Sequence, residues 1–445
     1  MKKVAFYTLG CKVNQYETEA MLEMFEKDGY EPVGSEDYAD VYVINTCTVT
    51  HMSDRKSRQY VRRMRKKNPD AIIAVVGCYS QVSPEEILEI EEVNLVMGTN
   101  ERRTIVNEIK KLEALEGEKK ASTVDDIMKV RAFEEIEISQ SNGRTRAFMK
   151  IQDGCDRFCT YCIIPKLRGK QKSRKIEDIV AEAKSLAENG VKELVVIAQD
   201  STMYGSDIYG EARLPQLLEE LAKIDGLKWI RIMYSYPESI TKELVDVIRR
   251  HDNICSYFDM PIQHASNKIL KLMNRQTTKE ELLEKVNMIR SAIPNATLRT
   301  TLITGFPGED EKDFEELVEF VKEVKFDKLG VFPYSREEGT AADKLTNHLE
   351  QEVKEQRRDT IMMIQQEISE EINKNKVGNT YEVLIEEQIE NNVYVGRTQF
   401  DAEEIDSIVY VKSHTELEPG DFVNVKINTA LEYDLMGDIQ DEFAK

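Results

Sequence analysis

The run Cys155-Asp156-Arg157-Phe158-Cys159-Thr160-Tyr161-Cys162 decides how this chain reads. Its C-x3-C-x2-C spacing puts three thiolates on one short loop, close enough to hold three corners of a cubane iron–sulfur cluster. Such clusters are bound by cysteine thiolates. Three protein ligands leave one iron open to a small molecule, and Tyr161 would shield the cluster on one side. Two other readings exist: three separate core thiols, since Cys is often buried, and a zinc site. Seven cysteines in 445 residues would seldom cluster so tightly by chance. Zinc prefers four Cys or His ligands in paired spacings, and the five histidines (His51, His251, His264, His348, His414) form no such pair.

Working outward, three more cysteines recur about every 35 residues, each where an apolar strand pattern runs out. Residues 4–8 lead into Leu9-Gly10-Cys11, residues 41–46 into Cys47, and residues 71–77 into Cys78. In an open parallel α/β sheet, ligands bind at the carboxyl ends of the strands. Cys11, Cys47 and Cys78 would then converge and could carry a second cluster; the alternative is three independent buried thiols. Cys255 has no partner in the pattern and reads as a core cysteine.

A length of 445 residues suggests about three domains. Residues 1–120 alternate Val/Ile-rich runs with helical patterns over 17–28, 54–67, 84–90 and 102–115, which predicts a flavodoxin-like doubly wound parallel sheet. Residues 121–142 are polar and weakly patterned, and read as a linker. Residues 143–377 carry a second β/α series, with strand patterns over 147–152, 193–198, 229–234, 256–261, 296–304 and 328–332. Six such units predict a partial (β/α)6 barrel with the cysteine loop after its first strand, at the face where barrel enzymes keep their sites. A long helix over 351–375 closes this part. Residues 378–445 alternate as short strands and read as a small antiparallel β-barrel. No apolar leader follows Lys2-Lys3, and the longest apolar run, around 71–78, is too short to cross a membrane. Cysteines available as metal ligands suit a reducing cytoplasm.

With both cysteine sets in view, the chain resembles the methylthiotransferases, a branch of the radical S-adenosylmethionine (SAM) superfamily. Thr8-Leu9-Gly10-Cys11-Lys12-Val13-Asn14-Gln15, Asn45-Thr46-Cys47-Thr48-Val49-Thr50 and Val76-Gly77-Cys78-Tyr79-Ser80-Gln81 match its amino-terminal domain. Gly154-Cys155 through Cys162-Ile163-Ile164-Pro165, Arg168-Gly169, Thr304-Gly305-Phe306-Pro307-Gly308-Glu309 and Pro333-Tyr334-Ser335-Arg336 match the radical SAM domain, and the tail resembles the substrate-recognising TRAM barrel. The resemblance implies two 4Fe–4S clusters. One, on Cys155, Cys159 and Cys162, binds SAM and cleaves it to a 5′-deoxyadenosyl radical that abstracts hydrogen from an unactivated carbon. The other, on Cys11, Cys47 and Cys78, delivers sulfur methylated by a second SAM, so that C–H becomes C–S–CH3. An electron donor such as flavodoxin or ferredoxin and a sulfur donor are implied as partners. The radical chemistry belongs to the cofactor; the protein supplies binding, orientation and shielding. Gln199-Asp200 and Gln263-His264, at strand ends, are candidate polar contacts to SAM or substrate. Gly305 and Gly308 would let backbone approach a ligand, and Glu309 closes their motif. The plainer alternatives are a turn for the glycines and a structural role for His264.

Members of the family modify either a tRNA adenosine beside the anticodon or an aspartate of small-subunit ribosomal protein uS12. Residues 1–154 resemble the subfamily acting on threonylcarbamoyl-adenosine in tRNA, through Cys11-Lys12-Val13-Asn14-Gln15-Tyr16-Glu17. From about Lys166 the chain resembles the ribosomal-protein subfamily, through Ile197-Ala198-Gln199-Asp200, Tyr236-Pro237-Glu238 and Glu432-Tyr433-Asp434-Leu435-Met436-Gly437. Charge arbitrates. The whole chain carries −21, and residues 378–445 hold sixteen Asp/Glu against four Lys/Arg. A domain gripping phosphates needs the opposite sign, whereas an acidic barrel suits a basic ribosomal protein. Residues 54–67 hold eight Lys/Arg and one Asp, which could touch RNA or simply be solvated. The ribosomal-protein aspartate is the leading substrate, tRNA the alternative. On this reading the tail is a separable module, whose removal spares SAM cleavage.

Overall fold

The computed structural model describes residues 1–47, 51–117, 119–139 and 145–440, with residues 51–55 as backbone only. Thr48, Val49, Thr50, the side chains of Asp54 and Arg55, and Asp441 and Glu442 lie outside the described residues.

The amino-terminal part is one parallel sheet. Its strands are β1 (Lys3–Thr8), β2 (Glu31–Val33), β3 (Val41–Thr46), β4 (Ile72–Gly77), β5 (Leu95–Met97) and β6 (Ala121–Thr123), in the order β2-β1-β3-β4-β5-β6. The Val/Ile runs suit strands covered on both faces: Val43 and Ala74 enter one core, Ile44 and Val75 the other. Helix α1 (Lys12–Lys27) gives Met21 and Phe25 to the first, and α2 (His51–Lys67) gives Tyr60, Val61 and Met64 to the second. The first five strands have the expected flavodoxin-like order, whose reversal falls between β1 and β3. Residues 121–139 depart from the linker expected over 121–142. Ala121–Thr123 pairs with β5, and Ile127, Phe133, Ile136 and Ile138 are buried. An extended segment packed at scattered points leaves no period to read.

Six parallel strands then form the expected partial barrel. They are β7 (Arg146–Lys150) and, after the short antiparallel pair β8 (Gln152–Asp153) and β9 (Lys172–Ser173), β10 (Glu193–Ile197), β11 (Trp229–Ile232), β12 (Tyr257–Asp259), β13 (Thr297–Thr304) and β14 (Lys328–Pro333). They make two three-stranded sheets, β11-β10-β7 and β12-β13-β14. These abut where the Cys255 and Ser235 amides donate to the carbonyls of Ile230 and Asp259 at 2.9 and 2.8 Å. Cys255 is a core residue, as its isolation in the sequence predicts. Helix α1 has a second buried side: Val13, Tyr16 and Ala20 join the barrel's own core, so one helix is shared by two domains. The long helix Gln351–Lys376 contributes Ile361 and Ile368 to that core. No described helix is long and apolar enough to cross a membrane.

The tail closes into a barrel of β15 (Thr380–Glu390), β16 (Val393–Thr398), β17 (Val409–Lys412), β18 (Phe422–Ala430) and β19 (Leu435–Ile439), ordered β15-β16-β17-β19-β18. The pairings are antiparallel apart from β17 with β19, which run parallel. Its β16–β17 loop, residues 399–407, enters the larger barrel from the side of the strands' amino ends. The Gln399 carbonyl accepts from Arg231 Nη1 at 2.9 Å, Asp401 pairs with Lys328 at 2.6 Å, and Asp406 takes Tyr257 Oη at 2.6 Å and Arg299 Nε at 3.3 Å. Ala402 joins the apolar core. The loop is the floor of the barrel.

Candidate functional site

The three strand-end cysteines sit at the β1/β3 switch point. Cys11 occupies the N-cap of α1, Cys47 follows β3, and Cys78 opens a short helix (Cys78–Val82) after β4. Two glycines make the approach possible. A Cβ on Gly10 would lie 2.8 Å from Cys47 Cβ, and one on Gly77, at φ +96°, would lie 2.5 Å from Asn45 Oδ1 and 2.8 Å from the Thr46 carbonyl. Polar groups lock the strand ends together. Asn14 Nδ2 donates to the carbonyls of Leu9 and Thr46, both at 2.9 Å, Asn45 Nδ2 donates to the Asn14 carbonyl at 2.9 Å, and Thr46 Oγ1 donates to the Val76 carbonyl at 2.6 Å. Burial pushes the Cys78 thiol up to about 12, against the pull of Arg168.

The triplet loop leaves β8 through Gly154 (φ +78°) and turns at Phe158 (φ +51°). The Cys155 amide donates to the Gly169 carbonyl at 3.2 Å, the Cys162 amide to the Cys159 carbonyl at 3.0 Å, and the Thr160 amide to the Met273 carbonyl at 3.0 Å. The Tyr236 hydroxyl lies 3.7 Å from Cys159 Sγ. Arg275 and Arg157 stack on its ring at 4.4 and 4.9 Å, and Tyr161 packs against the apolar cluster that includes Ile269, Met273 and Phe306. Burial pushes Cys155 and Cys162 each up to about 12. Three soft sulfur donors on one short loop suit an iron–sulfur cluster, and the three strand-end cysteines offer the same donor chemistry. Tyr234, just past β11, is raised by burial first and by nearby Cys11 next.

The polar residues expected to contact SAM fall into two groups. Gln199 follows β10, and its Oε1 is buried without a hydrogen-bond partner among the described residues. Asp200 beside it is engaged: it caps the turn at Thr202 Nα (3.1 Å) and pairs with Arg157 Nε (2.7 Å). Gln263, at φ +72°, bridges to β13 through its backbone, its amide donating to the Thr301 carbonyl at 2.9 Å. Gly305, His264 and Glu309 do come together, but as a buried knot facing the long helix. Glu309 accepts from the amides of Gly305 (2.8 Å) and Phe306 (3.2 Å) and from Arg357 (2.6 Å), and lies 3.4 Å from His264 Nε2. A Cβ on Gly305 would lie 2.2 Å from Lys354 Cγ. Both Glu309 oxygens are engaged by these contacts, whereas His264 Nε2 is buried without a hydrogen-bond partner among the described residues, and Gly305 packs on the long helix. Sequence reading missed Arg157, Arg168, Tyr236 and Arg275 as residues of the site, although Arg157, Arg168 and Tyr236 stand inside quoted motifs.

The basic helix is partly committed to its own domain. Arg58 pairs with Glu86, Arg63 pairs with Glu36 at 2.5 Å, and Arg65 donates to the carbonyls of Pro69, Ala71 and Glu92 at 2.6–2.7 Å. Lys56, Arg62, Lys66 and Lys67 remain exposed.

Comparison with known proteins agrees with this architecture. Residues 3–98 match Uncharacterized protein family UPF0004, residues 149–321 the Radical SAM superfamily, and residues 377–439 the TRAM domain. A ribosomal protein uS12 methylthiotransferase (RimO) of Clostridioides difficile is 56% identical over 448 residues, with 100% of both chains covered. The protein of the same name from Clostridium perfringens is 45% identical, covering 100% of this chain and 99% of that one. Among solved structures, the radical SAM methyltransferase TsrM of Kitasatospora setae, with cobalamin and a [4Fe-4S] cluster bound, shares the fold. It has a TM-score of 0.55 and 14% identity, covering 86% of this chain and 81% of that one. With full-length identity at that level and all three domains present in order, the chain belongs to the radical SAM methylthiotransferase family.

Proposed function

We propose that this enzyme replaces C–H by C–S–CH3 on an aspartate of ribosomal protein uS12. The observation carrying the substrate is the unbroken likeness to uS12 methylthiotransferases, acidic TRAM barrel included. The commitment of Arg58, Arg63 and Arg65 to intradomain contacts weakens the case for a tRNA-gripping helix. Cys155, Cys159 and Cys162 are assigned to one 4Fe–4S cluster, Cys11, Cys47 and Cys78 to a second. When bound, these groups supply the electron that cleaves SAM and the site from which sulfur is passed on. The chain's own residues bind, orient and exclude water. Gln199, whose Oε1 is buried without a partner among the described residues, and Gln263 are assigned to polar contact with SAM at the strand ends, and Tyr161 and Tyr236 to shielding the triplet. An electron donor of the flavodoxin or ferredoxin kind and a sulfur donor complete the reaction, which takes place where ribosomal proteins are, in the cytoplasm.

The test is mass spectrometry of ribosomal proteins and bulk tRNA from a host stripped of its own methylthiotransferases and given this gene. A methylthio increment on the uS12 aspartate is expected; an increment on threonylcarbamoyl-adenosine alone would overturn the substrate. Cys47→Ala should still form 5′-deoxyadenosine from SAM while adding no sulfur to uS12. Loss of both activities would contradict separate roles for the two cysteine sets.

A further inference from the structure

A buried cluster of charges joins the two cysteine sets, and nothing above gives it a task. Arg168 is its centre, at 1% exposure. It follows the triplet by six residues, on the short helix Ile164–Arg168, yet it reaches across to the amino-terminal domain. Its Nη2 donates to Asn14 Oδ1 at 2.8 Å and to Glu17 Oε2 at 3.1 Å, and lies 3.7 Å from Cys78 Sγ. Its Nη1 bonds Glu17 Oε1 and lies 3.4 Å from both oxygens of Asp153. Lys150 pairs with Glu17 at 2.9 Å, and Arg102 pairs with Glu17 and, at 3.1 Å, with Glu134.

Three features stand out. The cations Arg102, Lys150 and Arg168 are drawn from both domains. The donor nearest the sulfur, Arg168, belongs to the loop of the other cysteine set. Asn14, which fixes the Leu9 and Thr46 carbonyls beside Cys11 and Cys47, is held by the same guanidinium. Ion pairs this deeply buried are poor sources of net stability, so stability alone does not account for the arrangement.

We infer that Arg168 is a positioning residue for the amino-terminal cluster: its guanidinium donates to the sulfur of Cys78, raises the reduction potential of the cluster held by Cys11, Cys47 and Cys78, and ties that cluster to the triplet loop. Hydrogen bonds to ligand sulfurs and local net charge are among the levers that set cluster potentials. An N–H donor on a full positive charge stabilises the more negative, reduced state, which moves the potential upward. A fork anchored on Glu17 and Asn14 cannot swing away from the sulfur without breaking both contacts.

The inference rests on the assignment of Cys11, Cys47 and Cys78 as ligands, and the experiment separates the two. The full chain with Cys155, Cys159 and Cys162 all changed to Ala is reconstituted with iron and sulfide, so that one cluster remains. If it binds no iron, the ligand assignment fails. If it binds a cluster, redox titration followed by electron paramagnetic resonance is run with Arg168, Arg168→Lys and Arg168→Met. The expected result is a more negative potential in Arg168→Met and an intermediate one in Arg168→Lys, which keeps the charge but loses the fork. An unmoved potential in a folded, cluster-bearing Arg168→Met overturns the inference. Should that variant not fold, Arg168→Lys decides: a negative shift supports it, and an unchanged potential with unchanged iron–sulfur vibrational frequencies overturns it. A residue that merely supported the fold would alter cluster yield without moving the potential of the cluster that forms.

Discussion

Gly154 is the tightest point of the triplet loop. It sits at φ +78°, and an added Cβ would lie 2.1 Å from the Lys170 carbonyl. Backbone at that distance has nowhere to go, so Gly154→Ala should displace the start of the cysteine run. The expected protein is folded, lacks one cluster's worth of iron and makes no 5′-deoxyadenosine; iron analysis and product chromatography check both. Gly190→Ala is the control. Its φ is +94° but nothing lies within 4 Å, so it should cost only roughly 1 kcal/mol of conformational strain and keep both clusters. At this scale the tight triplet and the strand-end places of Cys11, Cys47 and Cys78 were legible, because thiol spacing is written along the chain. The engagement of Glu309 was not legible, because a strand-end polar residue looks alike whether it faces a ligand or a helix. The partner that decides it, Arg357, stands 48 positions further on. Arg168 was quoted in a motif, but its reach to Cys78, 90 positions back, has no local signature.

Among the elements, the loop at residues 399–407 carries most consequence. Asp406 takes both Tyr257 and Arg299, and Arg299 in turn donates to Asp259 at 2.8 Å. Asp259 Oδ2 accepts the Tyr234 amide at 3.0 Å, so the floor is linked to Tyr234, near Cys11. Removing one partner of such a buried pair typically costs 3–5 kcal/mol. Asp406→Ala should lower the denaturation free energy by about that amount, read by urea titration. The tail is therefore not the separable module its composition suggested. A chain ending at residue 378 loses the floor, strips Lys328 of Asp401 and Arg231 and Arg299 of their contacts to the tail, and is expected to lose SAM cleavage together with substrate modification; product analysis would show the difference. The strand patterns of β3, β4, β10 and β13 were readable because buried strands are continuous Val/Ile/Leu/Thr runs. The three-residue β6 and the parallel pairing of β17 with β19 were not, since a short strand has no period and its neighbour is chosen by the closed barrel.

For the whole molecule, charge is the organising quantity. The net −21 faces outward, and a basic ribosomal partner should be drawn by it. Increasing ionic strength should lower kcat/KM for uS12, while SAM cleavage without substrate stays level. Inside, two carboxylates are pinned between domains. Burial raises Glu17, but Arg102, Arg168 and Lys150 outweigh it and bring the group down to about 2. Arg397 and Arg231 likewise outweigh burial at Glu193, also to about 2, across the contact where Arg397 of the tail meets the barrel at 2.5 Å. A depressed folded-state value means that the stabilisation is complete above the ordinary carboxylate range and is lost as pH falls towards 2, on the order of 3 kcal/mol for each group. Urea midpoints at pH 6, 4 and 3 should fall steeply, and less steeply in Glu17→Gln.

The floor loop also fixes an order in time. Residues 399–407 leave the ribosome after every strand of the barrel they close. A nascent chain folding from its amino end carries six strands and both cysteine sets while its lumen is still open below. Only when the tail has been made and has turned back do the lumen cations meet their aspartates. On this order the barrel is closed only as the tail is made, in the same late stretch of synthesis as the surface that could direct the radical.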